Sequence, residues 1–396
     1  MTARTTPPRR VWRRLTITAT ALLVLAGLAY GATAVLRVPP PHALVRLQTT
    51  PPSAQGQVFA SRPVVSSGEA RPFEVAADGR LPATVPWKGA EISVHKMLDL
   101  THSRAFVVLR DGKIVHEWYA DGVDAGTRLS SWSVAKSVVS LMVGQAIERG
   151  ALSEDDRLVD LLPELRAGGE YDTITVRDLL DMASGIAVSE NYNPWWPVTG
   201  TARLLLSTDL PGYLGEHREV SFTPGTRGEY RSVDTQMLAL ILARVDGRPL
   251  GQIASEDLWT PLGAEAGANW NLDREGGTEK GFCCLNATAR DFARIGQLVL
   301  DEGRAGGVQV VPQAWIRRIS TPSELPIGEW GYSAQWWHPP AGDGDFTALG
   351  VFGQYIYINP DARTVIVKLS DHGTEQDEID TVGAMRSLAE GLASGA

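Results

Sequence analysis

The longest apolar run in the chain, LTITATALLVLAGLAYGATAVL at Leu15–Leu36, holds no charged residue and follows the basic stretch RRVWRR, Arg9–Arg14. Roughly 22 residues at about 1.5 Å each reach about 33 Å, enough to cross a hydrocarbon core of about 30 Å. Arginines before the run and few basic residues after it predict the N-terminus inside and the body outside. Ala32-Thr33-Ala34 also offers a signal-peptidase site, so anchor and cleaved signal both stay open. Either way the expected place is the cytoplasmic membrane with an extracytoplasmic body, or export after cleavage.

Beyond this run the periodicity changes several times. Residues 37–90 are rich in Pro, Ser, Gly and Ala, hold no sustained period, and read as a linker or an arm packed on the main domain. A short helix is expected near Glu91–Leu100. AFVVLRDGKIVHEWY then gives two apolar runs joined by Asp111-Gly112, a hairpin. LSSWSVAKSVVSLMVGQAIERG (129–150) predicts a helix that is apolar on most sides. Residues of about 151–330 read as mostly helical, with helical spacing in ITVRDLLDMASGI, DTQMLALILARVDG and ATARDFARIGQLVLDEG. GYSAQWWH, FGQYIYINP and RTVIVKLS read as strands, and Asp377–Leu392 as a closing helix. The predicted class is therefore α/β in the α+β sense: one antiparallel sheet built from both chain ends and flanked by helices, with a mostly helical insertion. The expected division is a basic segment 1–14, a span 15–36, an arm 37–90 and a globular domain 91–396.

Charge narrows the partners. Net charge is −9, but the first 14 residues carry five arginines and no acid, leaving −14 on the remainder. Such a body is a poor match for nucleic acid. The seven histidines show no metal-ligand spacing, so neither a metal nor a cofactor is expected. The only cysteines, Cys283 and Cys284, are adjacent. Their Cα atoms lie about 3.8 Å apart, closer than an ordinary disulfide allows, and they are expected to be small buried hydrophobes.

The candidate chemistry begins with lysine usage. Of 37 basic residues only six are lysines, yet Lys136 lies in the apolar helix one turn after Ser133. A buried lysine can lose its proton and act as a base, which arginine cannot. Ser133-Val134-Ala135-Lys136 is thus an S-x-x-K nucleophile candidate. Ser93-Val94-His95-Lys96 fits the same pattern, so the pattern alone is weak. Context favours Ser133, which opens an apolar helix whose first-turn N–H groups suit a developing oxyanion. The bland reading keeps Ser133 as a cap and sends Lys136 to solvent. Tyr230, after the Pro-Gly turn of FTPGTRGEYRS, is a possible acid/base partner, whose pKa a lysine cation would lower. Gly350 and Gly353 in TALGVFGQYIYI allow a close backbone approach.

In this order, VVLRDGKIV, SVAK, ITVRDLLDMASGI, FTPG…YRS, ATARDFARIGQLVL and FGQYIYINP…TVIVKLS resemble the serine β-lactamase and penicillin-binding-protein-like hydrolases. The likeness covers about residues 91–396 and is nearest to the class C-like branch of 6-aminohexanoate-dimer (nylon-oligomer) hydrolases and related esterases. It implies Ser133 as acylated nucleophile, Lys136 as its proton partner and Tyr230 as acid/base. It also implies an oxyanion hole from the Ser133 and Val351 N–H groups, and substrate contacts from Tyr192, Trp195, Trp196, Ser232, Gly350 and Phe352. Two departures stand out: Ser232 replaces the asparagine of the lactamase Y-x-N motif, and Ala348-Leu349-Gly350 replaces K-T-G, removing the cation that clamps a β-lactam carboxylate. The implied activity is hydrolysis of a small-molecule amide or ester through an acyl-enzyme. A D-amino-acid peptidase or carboxypeptidase, a β-lactamase and a non-catalytic penicillin-binding-like sensor or scaffold are the rivals.

Overall fold

The computed structural model describes residues 9–66, 68–77, 79–191, 199–373 and 377–395. Its centre is a seven-stranded antiparallel sheet. The order is Gly331–Ser333, Trp336–His338, Phe346–Gly350, Gln354–Asn359, Thr364–Ser370, Ser103–Arg110 and Lys113–Tyr119. The two chain ends meet where Thr364–Ser370 pairs with Ser103–Arg110, Val365 opposite Leu109 and Val367 opposite Val107. Asp111 and Gly112 both take positive φ (48° and 75°), as a tight hairpin with the strands' right-handed twist requires.

The central strands are buried on both faces, which explains their continuous apolar runs. Val107, Leu109, Ile356, Val365 and Val367 share one core with the helices Val134–Glu148 and Ala289–Leu300. Phe106, Val108, Tyr355, Tyr357 and Ile366 face the opposite core with the helices Val94–Leu100 and Glu378–Ser394. The period-two alternation of side chains divides each strand between them.

Several local expectations change. The short helix begins at Val94, after a strand at Ala90–Ser93. ITVRDLLDMASGI keeps only a five-residue helix, Val176–Leu180, started by a Thr175/Asp178 capping box. GYSAQWWH is two strands instead of one: Ala334 and Gln335 take positive φ at the break. There the Ala334 N–H donates to Asp181, and the Gln335 amide donates to the Leu179 and Leu180 carbonyls. The region 151–330 also contributes strands. Ala268–Asn271 and Leu285–Ala287 join a four-stranded sheet with Leu129–Ser130 and Ser61–Val64. The last strand belongs to the N-terminal arm, so the arm is hydrogen-bonded into the body well before residue 91. The apolar run lies in the helix Arg9–Val35, whose segment Trp12–Val35 is long and apolar enough to cross a membrane and lies outside the core.

Gly296 shows how tightly the sheet and its covering helix fit. A Cβ there would stand 2.4 Å from Val365 Cγ1 and 2.9 Å from Ile356 Cγ2. Alanine normally gains about 1 kcal/mol over glycine inside a helix. Here overpacking reverses the sign: Gly296→Ala should destabilise by about 1–3 kcal/mol. Urea unfolding monitored by tryptophan fluorescence measures this; a stabilised variant would contradict the packing described.

Candidate active site

Two S-x-x-K segments enter the structure, and local geometry separates them. Ser93 is exposed and caps its helix, accepting a hydrogen bond from the Lys96 N–H at 3.2 Å, while Lys96 lies at the surface. Ser133 precedes the helix Val134–Glu148, but its side chain makes no cap hydrogen bond. Lys136 is only 1% exposed. Its Nζ lies 2.8 Å from Ser133 Oγ and donates to the Phe282 carbonyl, also at 2.8 Å. The helix is enclosed on nearly every side, so a lysine here has no route to solvent. The bland reading, a cap with a solvent-seeking lysine, describes Ser93–Lys96 instead.

Burial sets the chemistry of this pair. Desolvation pulls the Lys136 ammonium down to about 7, opposed only in part by the charge of Glu190. Tyr230 moves the other way. Burial and the same Glu190 charge raise it above the ordinary tyrosine value, although a hydrogen bond to Ser133 acts in the opposite sense. The expectation that a lysine cation lowers Tyr230 is therefore corrected. Lysine is the group made easy to deprotonate, and tyrosine keeps its proton. Lys136 Nζ lies 5.0 Å from the Tyr230 ring centroid.

The strand Phe346–Gly350 supplies the opposite wall. A Cβ on Gly350 would lie 2.7 Å from the Ser131 carbonyl and 3.0 Å from Ser133 N, so only glycine permits this approach. Ser133, Tyr230, Leu349 and Val351 then line one cavity of about 470 Å³, whose other walls include Trp330, Trp337, Glu190 and Glu378. Trp337 packs against Tyr230 with ring centroids 5.2 Å apart.

Not every expected substrate contact faces this cavity. Ser232 is buried, and both its N–H (2.8 Å) and its hydroxyl (2.6 Å) donate to Glu190. Phe352 packs edge-on against Trp132 instead of lining the cavity. Ala348 is fully buried in the core. Tyr192, Trp195 and Trp196 lie outside the described residues. Glu190 escaped the sequence reading although it stands two positions before Tyr192. Its partners Ser232 and Thr201 (2.7 Å) are remote or unremarkable in sequence. Glu378 and the Phe282 carbonyl were likewise missed. Cys283 and Cys284 are buried, as expected, but joined in a disulfide across a Cα separation of 3.7 Å. Adjacent cysteines close a small ring through their own peptide, a case the usual separation does not cover; Cys284 has a left-handed backbone (φ 70°) there. Among the described residues no acid, histidine and cysteine cluster could hold a metal.

A buried serine–lysine pair, a tyrosine lining the same cavity and a glycine-ended strand beside it fit a serine hydrolase. Residues 101–390 match the β-lactamase family, and the chain belongs to it. It is 32% identical over 297 residues to the 6-aminohexanoate-dimer hydrolase of Paenarthrobacter ureafaciens, covering 70% of this chain and 74% of that one. A Bacillus anthracis structure, described provisionally as a 6-aminohexanoate-dimer hydrolase, superposes with a TM-score of 0.72 at 24% identity, over 85% of this chain and 92% of that one. A family VIII carboxylesterase superposes with a TM-score of 0.55 at 18% identity, over 72% and 92%. These two show the same fold.

The lowered lysine fixes an expected pH profile. Below about 7 Lys136 takes up a proton, so kcat/KM should fall about tenfold per pH unit on the acid side. Tyr230 is raised from 10, so no alkaline limb from this group should begin below its ordinary value. Lys136→Arg keeps charge but gives up no proton near neutrality, and kcat should fall by about 10²–10⁴ while Lys96→Arg changes little. An acid limb at pH 5 or lower, or a folded Lys136→Arg variant with more than a tenth of the rate, contradicts this reading.

Proposed function

We propose that this protein cleaves a linear amide or ester through an acyl-enzyme on Ser133. The observation that carries the reading is the buried Lys136 Nζ, 2.8 Å from Ser133 Oγ and drawn to about 7. Neutral Lys136 takes the Ser133 proton as Oγ attacks the carbonyl carbon. The Ser133 and Val351 N–H groups hold the oxyanion. Tyr230, still protonated, donates to the departing amine or alcohol and is reprotonated from Lys136. Water then attacks the acyl-enzyme by the same steps in reverse.

The cavity favours neutral or cationic substrates over anionic ones. Its described lining includes two carboxylates, Glu190 and Glu378, and no lysine or arginine. Ala348 stands where the lactamase motif carries lysine. The relative's 6-aminohexanoate dimer is a linear amide, and its name supports that class for this chain. We place the apolar run Leu15–Leu36 in the cytoplasmic membrane as an anchor or signal, with residues 1–14 inside and the hydrolase outside. The hydrolase unit then includes the arm strand Ser61–Val64 as well as residues 91–396.

Loss of one charge-assisted carboxylate contact costs roughly 1.5–3 kcal/mol, and the acidic lining adds repulsion, so neutral esters should exceed a cephalosporin in kcat/KM by at least about 100-fold. Parallel steady-state kinetics on a p-nitrophenyl ester and a chromogenic cephalosporin measure the ratio. Ser133→Ala should abolish both turnover and fluorophosphonate labelling, with Ser93→Ala unaffected. Comparable efficiency on the cephalosporin would replace this reading with a β-lactamase, and absence of labelling in the wild type would favour a non-catalytic sensor.

A further inference from the structure

Residues flanking the two N–H groups assigned to the oxyanion hole share an unusual arrangement. Trp132 precedes Ser133 and Phe352 follows Val351, and both take left-handed backbone conformations, φ 47° and 67°. A large aromatic residue keeps such a conformation only where its surroundings hold it. Here the two rings hold each other, edge to face, with centroids 4.9 Å apart. The Phe352 carbonyl is fixed from behind by the His372 N–H at 3.2 Å and the Gln354 amide at 3.0 Å.

Trp132 is fixed from the N-terminal arm. Its indole Nε1–H donates to the Pro52 carbonyl at 3.1 Å. Pro52 begins a helical turn, Pro52–Gln57, that is itself anchored at several points. The Ser53 N–H and hydroxyl donate to Asp371 (2.7 and 3.1 Å), and the Gly56 N–H donates to Ser130 Oγ at 2.9 Å. The Asn271 amide donates to the Gly56 carbonyl at 2.7 Å. These bonds tie the arm to the strand that leads into Ser133 and to the residue that follows Ser370. The arm precedes the segment, 101–390, that matches the family.

We propose that the arm turn Pro52–Gly56, acting through Trp132 and Phe352, is a positioning element for the oxyanion hole. Trp132 and Phe352 set the separation of the Ser133 and Val351 N–H groups, and the Pro52 carbonyl latches the pair. Neither ring lines the cavity, so the element acts on transition-state stabilisation and leaves substrate binding and Lys136 titration alone. The inference rests on the hydrolase reading above.

Trp132→Phe tests it by keeping an aromatic ring against Phe352 while removing the indole donor and part of the ring's bulk. In the detergent-solubilised full chain kcat should fall about 10- to 100-fold with KM nearly unchanged, since small displacements of catalytic groups carry costs of that order. Affinity for phenylboronic acid, whose tetrahedral serine adduct places an oxygen in the hole, should fall in parallel. The acid limb of the pH profile should stay where the wild type has it. Phe352→Leu should reproduce these losses and Phe352→Tyr should restore most of the rate; the Phe352 pair carries the test if Trp132→Phe does not fold. Folded Trp132→Phe or Phe352→Leu protein with kcat and boronate affinity within twofold of wild type overturns the proposal, as does lost kcat with unchanged boronate affinity. Failure of the hydrolase reading looks different: the wild type itself then shows no turnover and no fluorophosphonate labelling.

Discussion

A lysine held inside the protein with no hydrogen-bonded carboxylate among the described residues is the constraint on which the rest of the site depends. Lys136 reaches Ser133 Oγ and one backbone carbonyl, and Glu190 acts on it only as a weaker opposing charge. Keeping an amine with a value near 7 instead of 10.5 corresponds to on the order of 5 kcal/mol. The unfolded chain binds that proton more readily, so the penalty is fully present below about 7 and fades as pH rises toward the ordinary lysine value. On the proposed mechanism, that stability is given up to keep a base beside a nucleophile. Arginine in the same place would remain charged and could not serve.

The fold meets this demand by bringing distant segments to one point. The helix Val134–Glu148 is buried between the helix Ser232–Asp246 and the strand Phe346–Gly350, which removes water from Lys136. The turn before Ser232 brings Tyr230, and the loop between the strands Ala268–Asn271 and Leu285–Ala287 brings the Phe282 carbonyl. Gly350 lets the end of its strand press against Ser133 N. Glu190, gripped by Ser232 and Thr201, adds a fixed negative charge that opposes the fall of the lysine and reinforces the rise of the tyrosine. The two groups thereby take separate roles, one ready to accept a proton and the other to keep it.

Features that depend on a sustained period were legible in sequence. The Ser103–Tyr119 hairpin, the Thr364–Ser370 strand and the helices that begin at Val134, Ser232 and Ala289 each bury a long apolar run against the sheet or one another. Ser133 could be told from Ser93 because its helix is apolar throughout. Features set by remote partners were not legible. ITVRDLLDMASGI has helical spacing, but the helix stops after Leu180, whose carbonyl, with that of Leu179, is taken by the Gln335 amide. Ser232 reads as a substrate contact until its partner, Glu190, is seen. Nothing in the sequence marks Trp132, whose indole N–H donates a hydrogen bond to the Pro52 carbonyl eighty positions earlier. Cys283 and Cys284 were judged by the separation of ordinary disulfides, which does not govern a pair sharing one peptide bond.

The protonation state of Lys136 can be observed directly, because the chain has only six lysines. Lys88, Lys96 and Lys113 lie at the surface, whereas Lys136, Lys280 and Lys368 are buried. With ¹⁵N-labelled lysine in the full chain, Nζ chemical shifts followed from pH 5 to 11 report each amine separately, and loss of one signal in Lys136→Met assigns the site. The account predicts that this signal titrates near 7 and that it shifts when a fluorophosphonate occupies Ser133. A Lys136 signal that remains an ammonium until pH 10 would contradict it.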